Sequence, residues 1–83
     1  MPNELITRSE RIAAEIRAEM AKKKITVNGL ANQVDIPIST LRRSVNGSRS
    51  FTIDELFVIT RVLEVEPAEL VARTKDEAPR QAS

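Results

Sequence analysis

The stretch from Thr26 to Gly47 constrains the fold of this 83-residue chain more than any other. Pro37 divides it, because proline cannot continue a preceding helix and biases Ile36 towards extended backbone. Thr26 has the side chain of a good N-cap, and Gly47 can adopt the positive φ with which many helices end. The stretch therefore predicts two short helices joined by a tight turn, within residues 26–46.

The second of these helices, over about Ile38–Asn46, has two unlike faces. At 100° per residue, Leu41, Ser44 and Val45 share one side with Pro37, and Ile38 lies on the border. The opposite side is polar and basic and holds Ser39, Arg42, Arg43 and Asn46. Such a helix packs one face on a small core and leaves the other free to enter a DNA groove.

Charge is unevenly distributed along the chain, although the net charge is only +1. Residues 20–53 carry six basic side chains against one acidic, whereas residues 1–19 and 54–83 each have a net negative charge. A local basic block attracts phosphate even when the whole chain is nearly neutral. Lys22, Lys23 and Lys24 belong to this block, but they also suit the negative C-terminal end of a first helix.

Composition narrows the function classes. The chain has no Cys and no His, which removes thiolate metal sites, disulfides and the commonest general base. We therefore expect neither an enzyme nor a metal, cofactor or small-molecule substrate. No apolar run approaches the ~18 residues of a membrane span, and the N-terminus lacks a signal-peptide pattern, so we expect a cytoplasmic protein without a membrane partner.

A first helix is predicted from a capping box at Thr7 and Glu10 to about Lys23. Its buried stripe comprises Ile12, Ala13, Ile16 and Met20. Its exposed side is assigned Arg8, Arg11, Glu15, Arg17 and Glu19. In the next helix, Leu30, Ala31 and Val34 are expected to be buried.

A second capping box, Thr52 and Glu55, begins a fourth helix that runs to about Leu63. Its apolar residues predict a central, largely buried helix: Ile53, Leu56, Phe57, Ile59, Thr60 and Leu63. Pro67 suits the first position of a short fifth helix anchored by Leu70 and Val71. Met1–Ile6 is expected to be a frayed arm from which Leu5 and Ile6 can dock on the core, and 74–83 a disordered tail.

The joint spacing of several short motifs resembles the phage repressor/Cro-type (lambda-repressor-like, XRE) helix-turn-helix family. These motifs are Leu30-Ala31, Ser39-Thr40-Leu41, Asn46-Gly47, Leu56, Ile59, Leu63-Glu64-Val65 and Leu70. The resemblance covers roughly Ile12 to Ala72. It implies an all-α, compact five-helix domain over residues 1–73, with the helix-turn-helix at about 26–46.

The resemblance also implies which side chains contact DNA, because the third helix of that family lies in the major groove. Bases would be read by Ile38, Ser39, Arg42 and Arg43. Phosphates would be contacted by Thr26, Asn28, Asn46, Ser48 and Arg49. Arg49 and Ser48 lie in a loop where the sequence indicates no structural role.

The chain departs from the family pattern at five positions. Asp35 replaces the usual Gly of the turn, Pro37 stands where Ser or Thr usually caps the recognition helix, and Val27 replaces a frequent Gln. Ser44 stands where a larger apolar side chain is usual, which predicts a weak spot in the core. Glu64 replaces a usual Gly after the fourth helix.

The function implied is a sequence-specific double-stranded DNA-binding regulator of phage or bacterial type, a small Cro-like or immunity-type repressor that occupies an operator. Its partners would be the operator and either a weak homodimer or a dimer formed on DNA, with Val58, Val62, Val65 and the fifth helix as candidate dimer surface. A monomer stays open. Alternatives are an antitoxin of a toxin–antitoxin pair and a protein-interaction module of the same fold.

Overall fold

The computed structural model describes residues 7–74, and within that range the chain forms five helices and no strand. The helices are α1 (Arg8–Lys23), α2 (Val27–Gln33), α3 (Ile38–Asn46), α4 (Ile53–Leu63) and α5 (Pro67–Arg73). The predicted all-α, five-helix fold is confirmed. None of the helices in this part of the chain is long and apolar enough to cross a membrane.

Two reciprocal caps fix where α1 and α4 begin. The Thr7 hydroxyl accepts from the Glu10 amide at 3.1 Å, and the Glu10 carboxylate accepts from the Thr7 amide at 3.1 Å. Thr52 and Glu55 repeat the arrangement with two 3.0 Å bonds. Each box satisfies amides that the first turn of a helix leaves without partners. Both predicted capping boxes are therefore confirmed.

One apolar core lies between the helices, and every helix contributes to it. Its buried members are Ile16, Met20, Leu30, Leu41, Val45, Leu56, Ile59, Leu63 and Leu70. Phe51 packs against this cluster from the loop between α3 and α4, as do Ala31 and Val34 of the predicted buried side of α2. The buried Thr60 hydroxyl donates to the Leu56 carbonyl at 2.8 Å, so this polar group stays satisfied inside the core.

The prediction of a central, largely buried α4 is wrong for two of the residues it named. Ile53 is 70% exposed and Phe57 is 53% exposed. They lie four positions apart and so share one side of the helix, whereas the core takes the side that carries Leu56, Ile59 and Leu63. Within residues 7–74, α5 lies beside this side of α4 but leaves Ile53 and Phe57 largely exposed.

Glu19 also lies on a different side from the one predicted, since it is only 2% exposed. It follows Ile16 by three positions and Ile12 by seven, which places it on the buried stripe of α1. Its carboxylate accepts from Lys23 at 2.9 Å, from Arg73 at 2.8 Å and from Lys22 at 3.2 Å. Because Arg73 belongs to α5 and Lys23 also donates to the Leu63 carbonyl, this cluster ties α1 to α4 and α5.

The Glu19 cluster makes stability depend on pH. Hydrogen bonds from Lys23 and Arg73 lower the pKa of Glu19 from 4.5 to about 2. A carboxyl whose pKa is lower in the folded state stabilises the fold above its unfolded pKa, and that contribution is lost as pH falls towards the folded pKa. We therefore expect the free energy of unfolding to fall from pH 4.5 to about 2, and Glu19→Gln to flatten that decline.

Urea unfolding followed by circular dichroism at several pH values measures this dependence. Glu66→Gln is the matched control, because Glu66 is exposed and lies outside the cluster. It should keep the slope of the natural chain. Equal slopes for the natural chain and Glu19→Gln would contradict the assignment.

Helices α1, α3 and α4 end in the same way, with one residue in the left-handed region followed by a pair of backbone bonds. Gly47 has φ 91°, but the corresponding residues of α1 and α4 are Lys24 at φ 59° and Glu64 at φ 60°. At Glu64 the pair is Glu64 N–H to the Arg61 carbonyl and Val65 N–H to the Thr60 carbonyl. A side chain in this region strains the backbone.

Glu64→Gly is expected to stabilise the fold by about 1 kcal/mol, because glycine adopts positive φ without that strain. In thermal unfolding, a gain of this size raises the Tm of a domain of this length by about 4–8 °C. Glu64→Ala is the control, because alanine keeps the Cβ that strains this conformation and should leave the Tm close to that of the natural chain. A lower Tm for Glu64→Gly would show that the cap carries no such strain.

The described chain continues one residue beyond the predicted domain, to Thr74. Thr74, which the sequence assigned to the tail, is buried, and its hydroxyl donates to the Val71 carbonyl at 2.6 Å. The remaining predictions for the arm, 1–6, and the tail, 75–83, fall on segments outside the described residues.

Candidate nucleic-acid interface

Helix α3 begins and ends at the predicted residues. Buried side chains and one hydrogen bond from α1 hold it in place. Leu41 and Val45 are buried against the core, and α3 packs on both α1 and α2. At its C-terminal end, Arg17 of α1 donates to the Val45 carbonyl at 2.7 Å. The last carbonyls of a helix have no hydrogen-bond donor inside it, and they carry partial negative charge. A guanidinium at this end supplies both a donor and a positive charge. The inner side of α3 is thus firmly held.

The outer side of α3 is a continuous polar surface. Ser39, Arg42, Arg43 and Asn46 are all exposed, and their spacing places them on one face. Ile38, on the border of that face, is also exposed, so it does not complete the core. The structure thus brings the four predicted base-reading residues, and Asn46, onto the free side of one helix.

Pro37 occupies the N-cap of α3, with φ −56° and ψ 142°, and no side chain caps the helix. The loss of the cap hydrogen bond that the sequence indicated is therefore confirmed. The helix still begins at Ile38, because the Pro37 carbonyl accepts from the Leu41 amide at 2.9 Å. The missing cap has not displaced the residues that α3 presents.

The basic block is divided into neutralised and free charges. Lys22 and Lys23 pair with Glu19, and Arg49 pairs with Glu55. Arg42 and Arg43 take part in none of the ion pairs formed among residues 7–74. Lys24, at the end of α1, takes part in none of these pairs either, so the charges of the block that stay outside them are Lys24 and the two arginines of α3.

Arg49 has a structural role that the sequence did not indicate. Its Nη1 donates to Glu55 Oε1 at 2.9 Å and to Ser44 Oγ at 2.7 Å, while Nη2 donates to Glu55 Oε2 at 3.2 Å. The two-pronged contact with a carboxylate is the strongest form of this ion pair. The guanidinium thus joins the loop after α3 to the first turn of α4 and to the inner side of α3.

The same contacts correct the prediction of a weak spot at Ser44. Its side chain is only 1% exposed, and its hydroxyl accepts from Arg49 instead of facing an unfilled gap. A larger apolar side chain would occupy the place that the guanidinium takes. Ser44 and Arg49 therefore depend on each other.

The ionisation of this pair follows from its geometry. The hydrogen bonds from Arg49 lower the pKa of Glu55, and the Glu55 carboxylate raises the pKa of Arg49. Both groups stay charged near neutral pH. The arginine charge is thus already neutralised within the protein, which makes a dedicated phosphate contact by Arg49 less favourable than the sequence suggested.

The other predicted phosphate-contact residues are exposed on two elements. Asn46 and Ser48 flank Gly47 at the C-terminal end of α3. The Ser48 amide donates a hydrogen bond to the Arg43 carbonyl at 2.9 Å. Thr26 and Asn28 lie at the start of α2. The Thr26 hydroxyl accepts from the Gly29 amide at 3.0 Å, which leaves its proton free for an acceptor outside the protein.

Gly29 lies close to the N-cap of α2. A Cβ on this residue would lie 3.3 Å from the Thr26 hydroxyl oxygen, tighter than most such contacts. A side chain here would therefore press on the cap of α2.

Two residues that shape the surface were missed at the sequence level. Arg17 contacts a carbonyl 28 positions away, and no local pattern indicates so distant a partner. Glu55 was recognised only as a capping residue, yet one of its oxygens serves the cap and both contact Arg49. Its distance of six positions from Arg49 falls outside the helical spacings from which ion pairs are predicted.

The chemistry of the surface is that of binding. Ser39, Arg42, Arg43 and Asn46 supply hydrogen-bond donors and positive charge on a helix narrow enough for a major groove. Among residues 7–74 no group of three acidic side chains is placed to hold a metal ion. The arrangement suits binding to a polyanion that also presents hydrogen-bonding groups, as the base edges of DNA do.

Comparison with known proteins agrees with this geometry. The family model described as the Cro/C1-type helix-turn-helix DNA-binding domain matches residues 15–76, which is more than half of the chain. The match includes α2, α3 and the exposed face of α3. Searches of curated proteins and of solved structures found no match.

Proposed function

Because the chain belongs to the Cro/C1-type helix-turn-helix DNA-binding domain family, we propose that it is a small transcriptional repressor that acts by occupying a double-stranded DNA operator. The observation that carries the proposal is the exposed face of α3, where Arg42 and Arg43 have no ion-pair partner among the described residues. An arginine side chain pairs with O6 and N7 of guanine through two hydrogen bonds. In this proposal α3 lies in the major groove.

Base reading is assigned to the face of α3. Arg42 and Arg43 contact guanine, Ser39 contacts a base edge near the start of the helix, and Ile38 contacts a thymine methyl group. Thr26, Asn28, Asn46 and Ser48 contact phosphates and set the register of the protein on the duplex. Arg49 supports Ser48 through its bonds to Glu55 and Ser44.

Repression follows from occupancy, because a bound protein blocks access of polymerase to the operator. Two copies on a two-fold symmetric site would place their α3 helices about one turn of DNA, or ~34 Å, apart. Of the candidate dimer residues, Val62 and Val65 pack against the core, whereas Val58 is exposed. Among these three valines, Val58 is therefore the one available for contact between copies on DNA.

Selection of bound sites from a random duplex library tests this function. The recovered sites are then titrated at two salt concentrations. We expect an enriched two-fold symmetric motif and a log affinity that falls steeply with log salt concentration, because phosphate contacts release counterions. An enriched but asymmetric motif would support one bound copy. No enrichment together with salt-insensitive binding would contradict the proposal and favour a protein-interaction module.

A further inference from the structure

A basic concavity lies between α1 and the C-terminal end of α3, and we refer to it as the α1–α3 concavity. It is lined by Glu10, Arg11, Ala14, Arg17, Asn46 and Gly47. Its volume is about 460 Å³. The two elements are close here, because a Cβ on Gly47 would lie 3.8 Å from Glu10 Cγ. Of the lining residues, only Asn46 belongs to the predicted DNA contacts.

We propose that the α1–α3 concavity binds one phosphate of the DNA backbone, with Arg17 as the principal donor and Arg11 as a second positive charge. This inference rests on the proposed function and adds α1 to the elements that contact DNA. The sequence assigned phosphate contacts only to the start of α2, the end of α3 and the loop that follows. A phosphate contact from α1 sets the position of the protein on the duplex and carries no sequence information.

The first argument is that the concavity continues the exposed face of α3. Asn46 lies three positions after Arg43 and four after Arg42, so it shares their face, and it also lines the concavity. A helix with its side chains is about 10–12 Å across, and the major groove is about 12 Å wide. A helix that enters the groove therefore fills it, and the elements beside that helix meet the phosphates along the edge of the groove.

The second argument is that Arg17 is held in place and is still able to bind. Its Nη1 donates to the Val45 carbonyl at 2.7 Å, which orients the guanidinium at the end of α3. A guanidinium has five N–H groups, so this bond leaves others for an acceptor outside the protein. Arg17 is exposed and takes part in no ion pair among residues 7–74. A guanidinium oriented in this way suits phosphate, because its planar donors match two phosphate oxygens and little side-chain freedom is lost on binding.

The third argument is the balance of charge in the concavity. Arg11 and Arg17 supply two positive charges, and Glu10 is the one acidic side chain in the lining. The Glu10 carboxylate already accepts from the Thr7 amide at 3.1 Å in the capping box of α1. Two positive charges and one negative leave the lining with a charge of +1, which matches the single negative charge of a backbone phosphate.

Duplexes of the selected sequence that carry a neutral methylphosphonate at one backbone position at a time test this site. Each is titrated with the full 83-residue chain and with Arg17→Gln by fluorescence anisotropy. We expect one position beside the bases read by α3 where the neutral group weakens binding of the natural chain roughly tenfold. The same group should have little effect on Arg17→Gln, because that variant has already lost the contact. The slope of log affinity against log salt should also fall by about 0.9 in Arg17→Gln.

Arg8→Gln is the matched control, because Arg8 lies on the same helix but lines an apolar groove between α4 and α5. It should keep the sensitivity of the natural chain at every backbone position. If Arg17 only holds the end of α3, Arg17→Gln would weaken binding to every duplex and keep the natural pattern of sensitivity, which would overturn this inference. Sequence-selective binding would remain in that case, so the proposed function would stand. A natural chain that binds no duplex would overturn both.

Arg11→Gln keeps the inference testable if Arg17→Gln fails to fold. Arg11 takes part in no ion pair among residues 7–74, so its loss should leave the fold intact. This variant should reduce the effect of the methylphosphonate at the same backbone position. A pattern of sensitivity in Arg11→Gln identical to that of the natural chain would then overturn the inference.

Discussion

Arg42→Ala combined with Arg43→Ala is expected to remove most of the sequence preference of this protein and to leave its fold intact. Both side chains are exposed on α3 and form no ion pair within residues 7–74. A two-pronged arginine–guanine contact contributes roughly 1–3 kcal/mol of discrimination, or about 5- to 150-fold for each arginine that makes one. Competition between the selected duplex and a scrambled duplex measures the loss.

The single variants refine this prediction. Arg42→Ala and Arg43→Ala should each relax preference at particular base pairs rather than across the whole site. Arg61→Ala is the control, because it removes one exposed positive charge from α4 and leaves α3 unchanged. Uniform weakening across all duplex sequences by the Arg42 and Arg43 variants would show that these arginines contact phosphates and do not read bases.

Arg49→Ala is expected to lower thermal stability and to weaken binding to every duplex by a similar factor, without changing the salt dependence. The substitution removes the guanidinium that donates hydrogen bonds to the buried Ser44 hydroxyl and to the Glu55 carboxylate. The loop that carries Ser48 then loses these contacts with α3 and α4. A lost phosphate contact would instead reduce the slope of log affinity against log salt by about 0.9. Fluorescence anisotropy at a series of salt concentrations measures that slope.

Arg49→Lys separates the two roles of this residue. Lysine keeps the charge but cannot make the two-pronged contact with Glu55. If Arg49 positions the loop, Arg49→Lys should resemble Arg49→Ala in affinity. Recovery of natural affinity and salt slope by lysine would show that charge alone matters, which would restore the direct phosphate contact.

The elements that the sequence predicted well are those with local signals. Pro37 and Gly47 delimit α3, since each changes the backbone next to it, and the predicted bounds match the structure. The capping boxes that begin at Thr7 and Thr52 each join residues three positions apart, so they were also predicted correctly from the sequence. The exposed face of α3 followed from helical periodicity. Leu41 and Val45 are four positions apart and lie on one side of the helix, so burying them leaves the opposite side exposed.

The features that the sequence did not predict depend on distant partners. Arg49 looked free because its partners Ser44 and Glu55 lie in separate helices. Arg17 meets Val45 only after α1 and α3 have packed. Burial of Glu19 needs Arg73, 54 positions away, although its helical phase already pointed towards the core.

Phe57 shows a further limit of sequence interpretation. Its apolar side chain predicted burial, yet whether a helix is covered on a given side depends on the placement of its neighbours. Helix α5 covers only part of α4 and leaves an apolar groove beside Phe57. The sequence could not predict the exposure of Phe57, because the residue type is the same whether its side chain is buried or exposed.

Titration of the ¹⁵N-labelled chain with the selected duplex, followed by amide chemical shifts, tests the central claim most directly. If α3 enters the major groove, the largest shifts should fall on Ile38, Ser39, Arg42 and Arg43, with smaller shifts at Thr26, Asn28, Asn46 and Ser48. Val71 and Ala72 of α5 should change little. Large shifts on α5 with α3 unchanged would contradict the account, because the DNA would then lie on a different face.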